Sequence, residues 1–398
     1  MKYRLLPLVL INAVFVAWLF WPEDDSFKSY FGLPIGAGEF DRYVEEQMDD
    51  KGVPGLSVAI INHGEVVHHA TFGYANAEEE VPVGNDTIFE AASISKPMFG
   101  FFVMRFVDEG KIDLDRPLHE YYPHPDLESD PRHKAITARM VLSHQSGLPN
   151  WRENEKGQTL NIQFDPGTDY LYSGEGYQYL AMVLREIENT DWAGLEAAFQ
   201  SMVAEPLGMA HTVYVQTPFT RAHKAEPYDS KGEWIDWPEG EWFLKEDGNF
   251  FAPSSMHTES LDFARWLKAL MNRELLSAQS YRELFKPHSS ATVGELELSY
   301  TLGFFELGPP FTDLYFHTGN NVGFDSWFAV DLEDDWGFAM FANSDQGEAL
   351  GESLFFYLLA GPDPELALAV AALSLMTLLL LVARGVRRFG AARRSRVT

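Results

Sequence analysis

Between residues 53 and 74 apolar and polar positions alternate on both sides of His63-Gly64-Glu65. A period of two interrupted by a glycine turn predicts a β-hairpin, with strands over 56–61 and 66–71. The period then lengthens. From residue 94 to 109, Phe99, Phe102, Val103 and Phe106 recur at helical spacing, and Gly110 supplies a stop. Residues 136–143 and 178–188 also have helical character, the second following a Pro166-Gly167 turn. Towards the far end, residues 314–317, 326–330 and 337–343 are short strand-like runs separated by turn residues, and a helix is expected near 348–359. Strands at both ends with helices between them predict an α/β (α+β) domain: one antiparallel sheet closed by the chain's two ends, flanked by helices, with an all-helical insertion. No internal repeat is visible. Residues 226–253 fit no period; Trp234, Trp237, Trp242, Phe243, Phe250 and Phe251 sit among Pro, Gly and acidic residues. They read either as a packed surface loop or as the lining of a substrate cleft.

Two stretches are apolar throughout. Residues 5–21 are interrupted only by Asn12, follow Lys2 and Arg4, and include Trp18 and Trp21 near their end. Residues 366–383 carry no charge, would span about 27 Å as a helix, and precede a run of arginines that starts at Arg384. Both predict transmembrane helices. The first also reads as a cleaved signal peptide, although Leu19-Phe20-Trp21-Pro22 offers no small-x-small cleavage site. Basic flanks belong in the cytoplasm, so the chain between them is expected outside it. The expected organisation is a membrane anchor over 1–22, a linker over 23–39, a folded domain over 40–360, a transmembrane helix over 366–383 and a basic cytoplasmic tail over 384–398. That places an integral protein in a bacterial cytoplasmic membrane, its domain on the extracytoplasmic (periplasmic) side.

Composition narrows the chemistry. With 46% hydrophobic and 22% charged residues among 398, the chain can bury a core. The formal net charge is -29; setting aside the eight basic residues of the two ends leaves 22 basic against 59 acidic, a net of -37 for the part between them. So acidic a domain is not expected to bind nucleic acid. Cysteine is absent, which excludes disulfides, thiolate metal sites and a cysteine nucleophile. His68 and His69 are adjacent, so on a strand they face opposite ways and cannot share an ion. No His-Glu-x-x-His, Gly-x-Ser-x-Gly or phosphate-binding glycine loop occurs, and no metal or cofactor is expected.

One pattern carries covalent chemistry. Ser93-Ile94-Ser95-Lys96 lies where the hairpin region ends and the first amphipathic helix begins. Three residues apart on a helix, the Lys96 amine can approach the Ser93 hydroxyl. Serine needs a base, and a buried lysine can serve once desolvation lowers its pKa. N–H groups at a helix start also face a developing oxyanion. By itself Ser-x-x-Lys is a weak signal, whose plain reading is an N-cap serine and an exposed lysine.

More of the pattern follows in order. Phe89-Glu90-Ala91-Ala92-Ser93-Ile94-Ser95-Lys96-Pro97, preceded by Pro82 and Thr87, resembles the nucleophile region of the class C β-lactamase and serine DD-peptidase (penicillin-binding-protein-like) family, which includes esterases and D-aminopeptidases. Leu142-Ser143-His144-Gln145-Ser146-Gly147-Leu148-Pro149, then Tyr172-Ser173-Gly174, then Pro206-Leu207-Gly208-Met209 and finally His317-Thr318-Gly319 continue the resemblance over about residues 40–355. It implies that Ser93 is the nucleophile, that Lys96 and Tyr172 share the proton transfers, and that His317 belongs to the catalytic set. Gly174, Thr318, Gly319 and Asn320 would bind substrate, with the Asn320 and Ser93 N–H groups forming the oxyanion hole. Which of Lys96 and Tyr172 takes the serine proton is left open.

Two positions depart from the β-lactamase form. Gly174 stands where the family's Tyr-x-Asn has an amide, and His317 where β-lactamases carry lysine. The expected activity is therefore that of a membrane-anchored serine hydrolase forming an acyl-enzyme with a small ester, amide or D-amino-acid peptide. Its partner would be a small-molecule or short-peptide substrate. The alternatives are a β-lactamase or D-Ala-D-Ala carboxypeptidase and, outside catalysis, a penicillin-binding sensor or an inactive envelope scaffold. Oligomeric state is not legible in the sequence.

Overall fold

The computed structural model describes residues 25–152, 159–236, 248–293, 296–308 and 314–362. Residues 45–351 form one compact unit; residues 25–44 together with 352–362 belong to a second. In the second, strands β1 (Ser26–Lys28) and β2 (Pro34–Gly36) pair antiparallel.

The larger unit is built on one sheet. Its strands are β3 (Gly55–Asn62), β4 (Glu65–Asn76) and β5 (Val81–Pro82), then β8 (Ser289–Val293), β9 (Leu296–Tyr300), β10 (Phe305–Leu307), β11 (Leu314–Asn321), β12 (Phe324–Asp331) and β13 (Trp336–Ala342). These nine run in the order β5-β4-β3-β13-β12-β11-β10-β9-β8, and every neighbouring pair is antiparallel. Early and late segments of the chain thus share one sheet through β3 and β13, as the sequence predicts. A separate short pair joins β6 (Phe89–Glu90) to β7 (His257–Thr258).

The predicted hairpin is β3–β4. His63 and Gly64 turn it with φ of +52° and +71°, the two-residue geometry whose twist matches paired strands. Strands β3, β12 and β13 are buried at every position, so both faces of the sheet's centre are covered. On one face lies the helix Ser260–Met271, whose Ser260 hydroxyl is 2.7 Å from that of Ser57.

Apart from Ala37–Lys51 and Gly347–Ala360, the described helices lie between β6 and β8 in the chain. Ser95–Asp108 is buried at every residue from Ser95 to Met104 and again at Phe106, so up to its last turn it has no solvated face to offer a charged side chain. Phe102 meets Phe106 and Phe199 edge to face with centroids 5.2 and 5.6 Å apart, inside one core that also takes in Phe250 and Trp266. Thr137 caps Ala138–Leu142 and Ser173 caps Gly174–Ile187, each through its hydroxyl. Of the unassigned aromatic region, Phe250 is a core residue stacked on Tyr214 and Trp234 is exposed. Trp237, Trp242 and Phe243 lie outside the described residues.

The expectation of N- and C-terminal transmembrane helices is corrected here. Among the described residues no helix is long and apolar enough to cross a membrane. Ala37–Lys51, the longest of the described helices at 15 residues, is about 22 Å long against a hydrocarbon core of about 30 Å, and it is rich in charge. Gly347–Ala360 stops where Gly361 turns left-handed at φ +79°. Residues 1–22, 366–383 and 384–398, to which the anchor, the second spanning helix and the tail were assigned, lie outside the described residues.

Candidate active site

Ser93 occupies a 3₁₀ turn, Ala92–Ile94, that runs straight into Ser95–Asp108. Ala92 has φ +48°, a left-handed conformation costing a residue with a Cβ roughly 1–2 kcal/mol. The surroundings hold the turn in place. Ser95 Oγ donates to Ala92 C=O at 2.5 Å and accepts from Met256 N–H at 3.1 Å, Ala91 N–H donates to Met256 C=O at 2.8 Å, and Ser326 Oγ donates to Ala91 C=O at 2.7 Å.

One turn further on, Lys96 is 0% exposed. Its Nζ donates to Ser93 Oγ at 3.1 Å and to Pro253 C=O at 3.0 Å, and no described carboxylate pairs with it. Desolvation without a counter-charge drives its pKa well below the ordinary lysine value. The ammonium position is 4.5 Å from the centroid of the Tyr172 ring. Tyr172 also hydrogen-bonds Ser93, and burial pushes its pKa well above the ordinary phenol value. Both shifts favour uncharged side chains around the Ser93 hydroxyl.

Tyr172 is placed by the start of the next helix. Ser173 Oγ accepts from Gly176 N–H at 2.9 Å and donates to Pro149 C=O at 2.9 Å, tying the helix end to the 142–149 segment. Gly174 is the first helical residue. A Cβ there would meet the Trp151 ring, with Cη2 at 2.5 Å, and Asn150 C=O at 2.9 Å. Trp151, itself stacked on Phe251 at 5.7 Å, fills the space that an asparagine side chain would need.

Strand β11 closes the arrangement. Its alternation sets His317 and Gly319 on the buried face, with half-buried Thr318 and exposed Asn320 on the other. His317 Nδ1–H donates to Thr318 C=O at 2.6 Å, and Nε2 lies 3.4 Å from the Tyr300 hydroxyl. Burial first, then the charge Lys96 carries when protonated, holds the His317 pKa down at about 3, so the imidazole is neutral. Gly319 presses on the nucleophile's turn: a Cβ would stand 2.6 Å from Ala91 O and 2.9 Å from Ser93 N, and would also strike Ser326 Oγ. Asn320 Nδ2 donates to Asp325 at 2.6 Å. Asn321 Nδ2 donates to Glu90 at 2.6 Å, tying the strand to β6 just ahead of Ser93. Glu90 in turn pairs with Lys224.

The structure therefore brings Ser93, Lys96, Tyr172, His317 and Gly319 together, with Thr318 and Asn320 on the same strand and Gly174 under Trp151. Sequence reasoning passed over Pro253, Tyr300 and Trp151, which stand in no periodic or spaced pattern. His144 lies in the 142–149 motif, whose spacing assigns it no role. Among the described residues one group has metal-ligand character, His211, Glu259 and Asp262, with ligand atoms within 4.8 Å of one another. Its carboxylates are already engaged: Asp262 accepts from His211 N–H at 2.6 Å and pairs with Arg265, while Glu259 accepts from Leu261 and Asp262 N–H at 2.5 and 2.7 Å.

The protein-family description Beta-lactamase matches residues 40–360. Among curated proteins, Protein flp of Staphylococcus aureus (strain NCTC 8325 / PS 47) is 24% identical over 325 residues, 77% of this chain and 62% of that protein. Putative penicillin-binding protein PbpX of Bacillus subtilis (strain 168) is 23% identical over 261 residues, 63% of each. The chain thus spans less than two thirds of the length of these relatives. An octameric penicillin-binding protein homologue from Pyrococcus abyssi shares the fold with a TM-score of 0.69 at 22% identity, covering 82% of this chain and 78% of that one. A class C beta-lactamase gives 0.68 at 20% identity, covering 81% and 95%. The D-amino acid amidase from Ochrobactrum anthropi SV3 gives 0.65 at 22%, covering 81% and 98%.

Proposed function

The chain belongs to the beta-lactamase family, a family of serine hydrolases, and we propose on that premise that it hydrolyses small neutral esters or amides through an acyl-enzyme on Ser93. One observation carries the reading: Lys96 is buried without a counter-ion among the described residues, 3.1 Å from the Ser93 hydroxyl that Tyr172 also bonds.

In the proposed reaction the neutral Lys96 amine takes the Ser93 proton as Oγ bonds to the substrate carbonyl carbon. The carbonyl π pair moves onto oxygen, and the oxyanion is met by the Ser93 and Asn320 N–H groups. As the bond to the leaving group breaks, Tyr172 gives its hydroxyl proton to the departing oxygen or nitrogen and recovers one from the Lys96 ammonium. Water then attacks the acyl-enzyme by the same route in reverse. It gives a proton to Tyr172 as Tyr172 passes its own to Lys96, and the acid product leaves as the Lys96 ammonium returns a proton to Ser93 Oγ. Lys96 rather than Tyr172 serves as the first base in this reading, because burial favours the neutral amine and disfavours the phenolate.

Substrate choice follows from charge. The site offers a neutral imidazole at His317. Arg152, next to Trp151 in the chain, is occupied by Glu175 and Asp126, each at 2.7 Å. A substrate carboxylate would find no free cation in that set, which supports neutral substrates over carboxylate-bearing β-lactams or D-Ala-D-Ala peptides. The test is a panel on the purified protein: a short p-nitrophenyl ester, a D-aminoacyl amide, a cephalosporin and a D-Ala-D-Ala peptide. The ester should exceed the cephalosporin in kcat/KM by at least about tenfold. A serine-directed probe should label Ser93 and leave Ser93→Ala unlabelled; labelling that survives this substitution moves the nucleophile elsewhere. Stoichiometric labelling without turnover would favour a sensor. The domain's place outside the cytoplasm is part of the same proposal, and a periplasm-dependent reporter fused after Gly361 should be active if it holds.

A further inference from the structure

The segment 142–149 contributes a side chain that the reaction above does not use. His144 is fully buried and has φ +57°. Its contacts converge on Tyr172 from three directions. The His144 carbonyl accepts from Leu171 N–H at 2.8 Å, its Nδ1 accepts from Ser173 N–H at 3.0 Å, and its ring lies against the Tyr172 ring with centroids 4.3 Å apart and planes 38° apart. One residue holds the backbone on both sides of the tyrosine and the face of its ring.

The protonation state follows from the same geometry. Since Nδ1 accepts, the proton sits on Nε2 and the ring is neutral; a second proton would set one N–H against another. Burial first, then the charge Lys96 carries when protonated, holds the His144 pKa well below its ordinary value, which agrees. Nε2 itself is buried and has no hydrogen-bond partner among the described residues, enclosed by Tyr300 and Tyr177 with ring centroids at 4.8 and 5.2 Å. As packing alone this is an unfavourable choice, because it leaves a buried donor unpaired in a left-handed backbone that a glycine or asparagine would adopt more easily. What histidine adds at this position is an aromatic ring and an acceptor at once.

We propose that His144 is a positioning residue that fixes Tyr172 so its hydroxyl stays on Ser93 for protonation of the leaving group. This rests on the reading of Tyr172 as proton donor, and the experiment separates the two. His144→Phe keeps a ring and loses the acceptor; His144→Asn keeps a carbonyl acceptor suited to left-handed backbone and loses the ring. Both are assayed in the full chain beside Tyr172→Phe, on two esters of one acid. The p-nitrophenolate leaving group needs no proton, whereas an alkoxide does. Tyr172→Phe should slow the alkyl ester at least about tenfold more than the p-nitrophenyl ester, within the range of general-acid effects. Equal slowing there overturns the reading of Tyr172 itself, and this proposal with it. His144→Phe should show the same selective loss in kcat, with KM within about threefold of the wild type and His144→Asn in between. If Tyr172→Phe discriminates between the esters while a folded His144→Phe slows both equally, His144 does not position the tyrosine. Should His144→Phe fail to fold, His144→Asn decides by the same criterion. Independently, ¹⁵N spectra of the histidine-labelled wild type should show His144 protonated on Nε2 and bare at Nδ1; the opposite tautomer overturns the proposal.

Discussion

Lys96 works, in the proposed reaction, because burial lowers its pKa with no described carboxylate to raise it again. The working form is the neutral amine, so kcat/KM for a neutral ester should rise with pH through the lowered Lys96 pKa and then level off. Tyr172 is raised, so no loss from its ionisation is expected below about pH 10. A falling limb at pH 8 to 9 would contradict this assignment. Lys96→Arg, charged at every working pH, should reduce kcat by roughly 100-fold or more. Two glycines give sharper tests. In Gly319→Ala the new methyl meets backbone at Ala91 and Ser93 as well as the Ser326 hydroxyl, so the strand or the nucleophile's turn must move. It should cost about 1–3 kcal/mol in denaturant unfolding and more than tenfold in kcat. Gly174→Asn does not restore a β-lactamase contact in this structure, because Trp151 occupies the space. It should destabilise the protein by about 1–3 kcal/mol, and Trp151→Ala should remove most of that penalty in a double-mutant cycle. Additive effects would mean that the ring is not the obstacle.

Between elements, a buried carboxylate does the joining. Glu196, on the helix Trp192–Phe199, accepts from Tyr214 N–H at 2.9 Å and Val215 N–H at 3.0 Å, and the Tyr214 hydroxyl donates to Ser95 C=O at 2.6 Å beside the nucleophile. Burial raises the Glu196 pKa to about 7, and that of Asp325, under Asn320, to about 7. The folded state therefore holds these protons where the unfolded chain, with carboxyls near 4, has released them. Their contribution is fully present below about pH 4 and is lost as pH rises through 7. Glu196→Gln cannot lose that proton, so its Tm should fall less than the wild type's between pH 5.5 and 8.5; parallel curves would show that Glu196 is ionised throughout. The sequence made some of these elements legible and hid others for physical reasons. The β3–β4 hairpin and the helix after Ser93 stood out because apolar spacing and a glycine turn or stop agreed. The helix Gly174–Ile187 shows its period only from 178, since Gly174 and Gly176 are poor helix formers and the signal of its start is the Ser173 cap. Ser93, Lys96, Tyr172 and His317 could be named because they stand in spaced patterns. Trp151 and the Pro253 carbonyl could not, because their roles exist only through contacts distant in sequence.

For the molecule as a whole, 59 acidic against 30 basic residues mean that compaction works against self-repulsion. Raising ionic strength from about 0.02 to 0.5 M shortens the screening length from roughly 20 Å to a few ångströms and should raise Tm. Ion pairs such as Lys268–Glu65, exposed at the surface, contribute little either way, so an unchanged or falling Tm would show that the acidic charge is not a net burden. The sheet order has a consequence in time. On its side away from β4, β3 pairs only with β13, registering Gly337 to Ala342 against Ile61 to Leu56. A ribosome delivers the first of these strands long before the last. Throughout the interval the apolar edge of β3 is an open template for any other strand, the condition under which nascent chains aggregate. Completion of this fold therefore waits on release of nearly the entire unit, and a chain that stalls before residue 336 should be held by chaperones or degraded rather than accumulate as a half-domain.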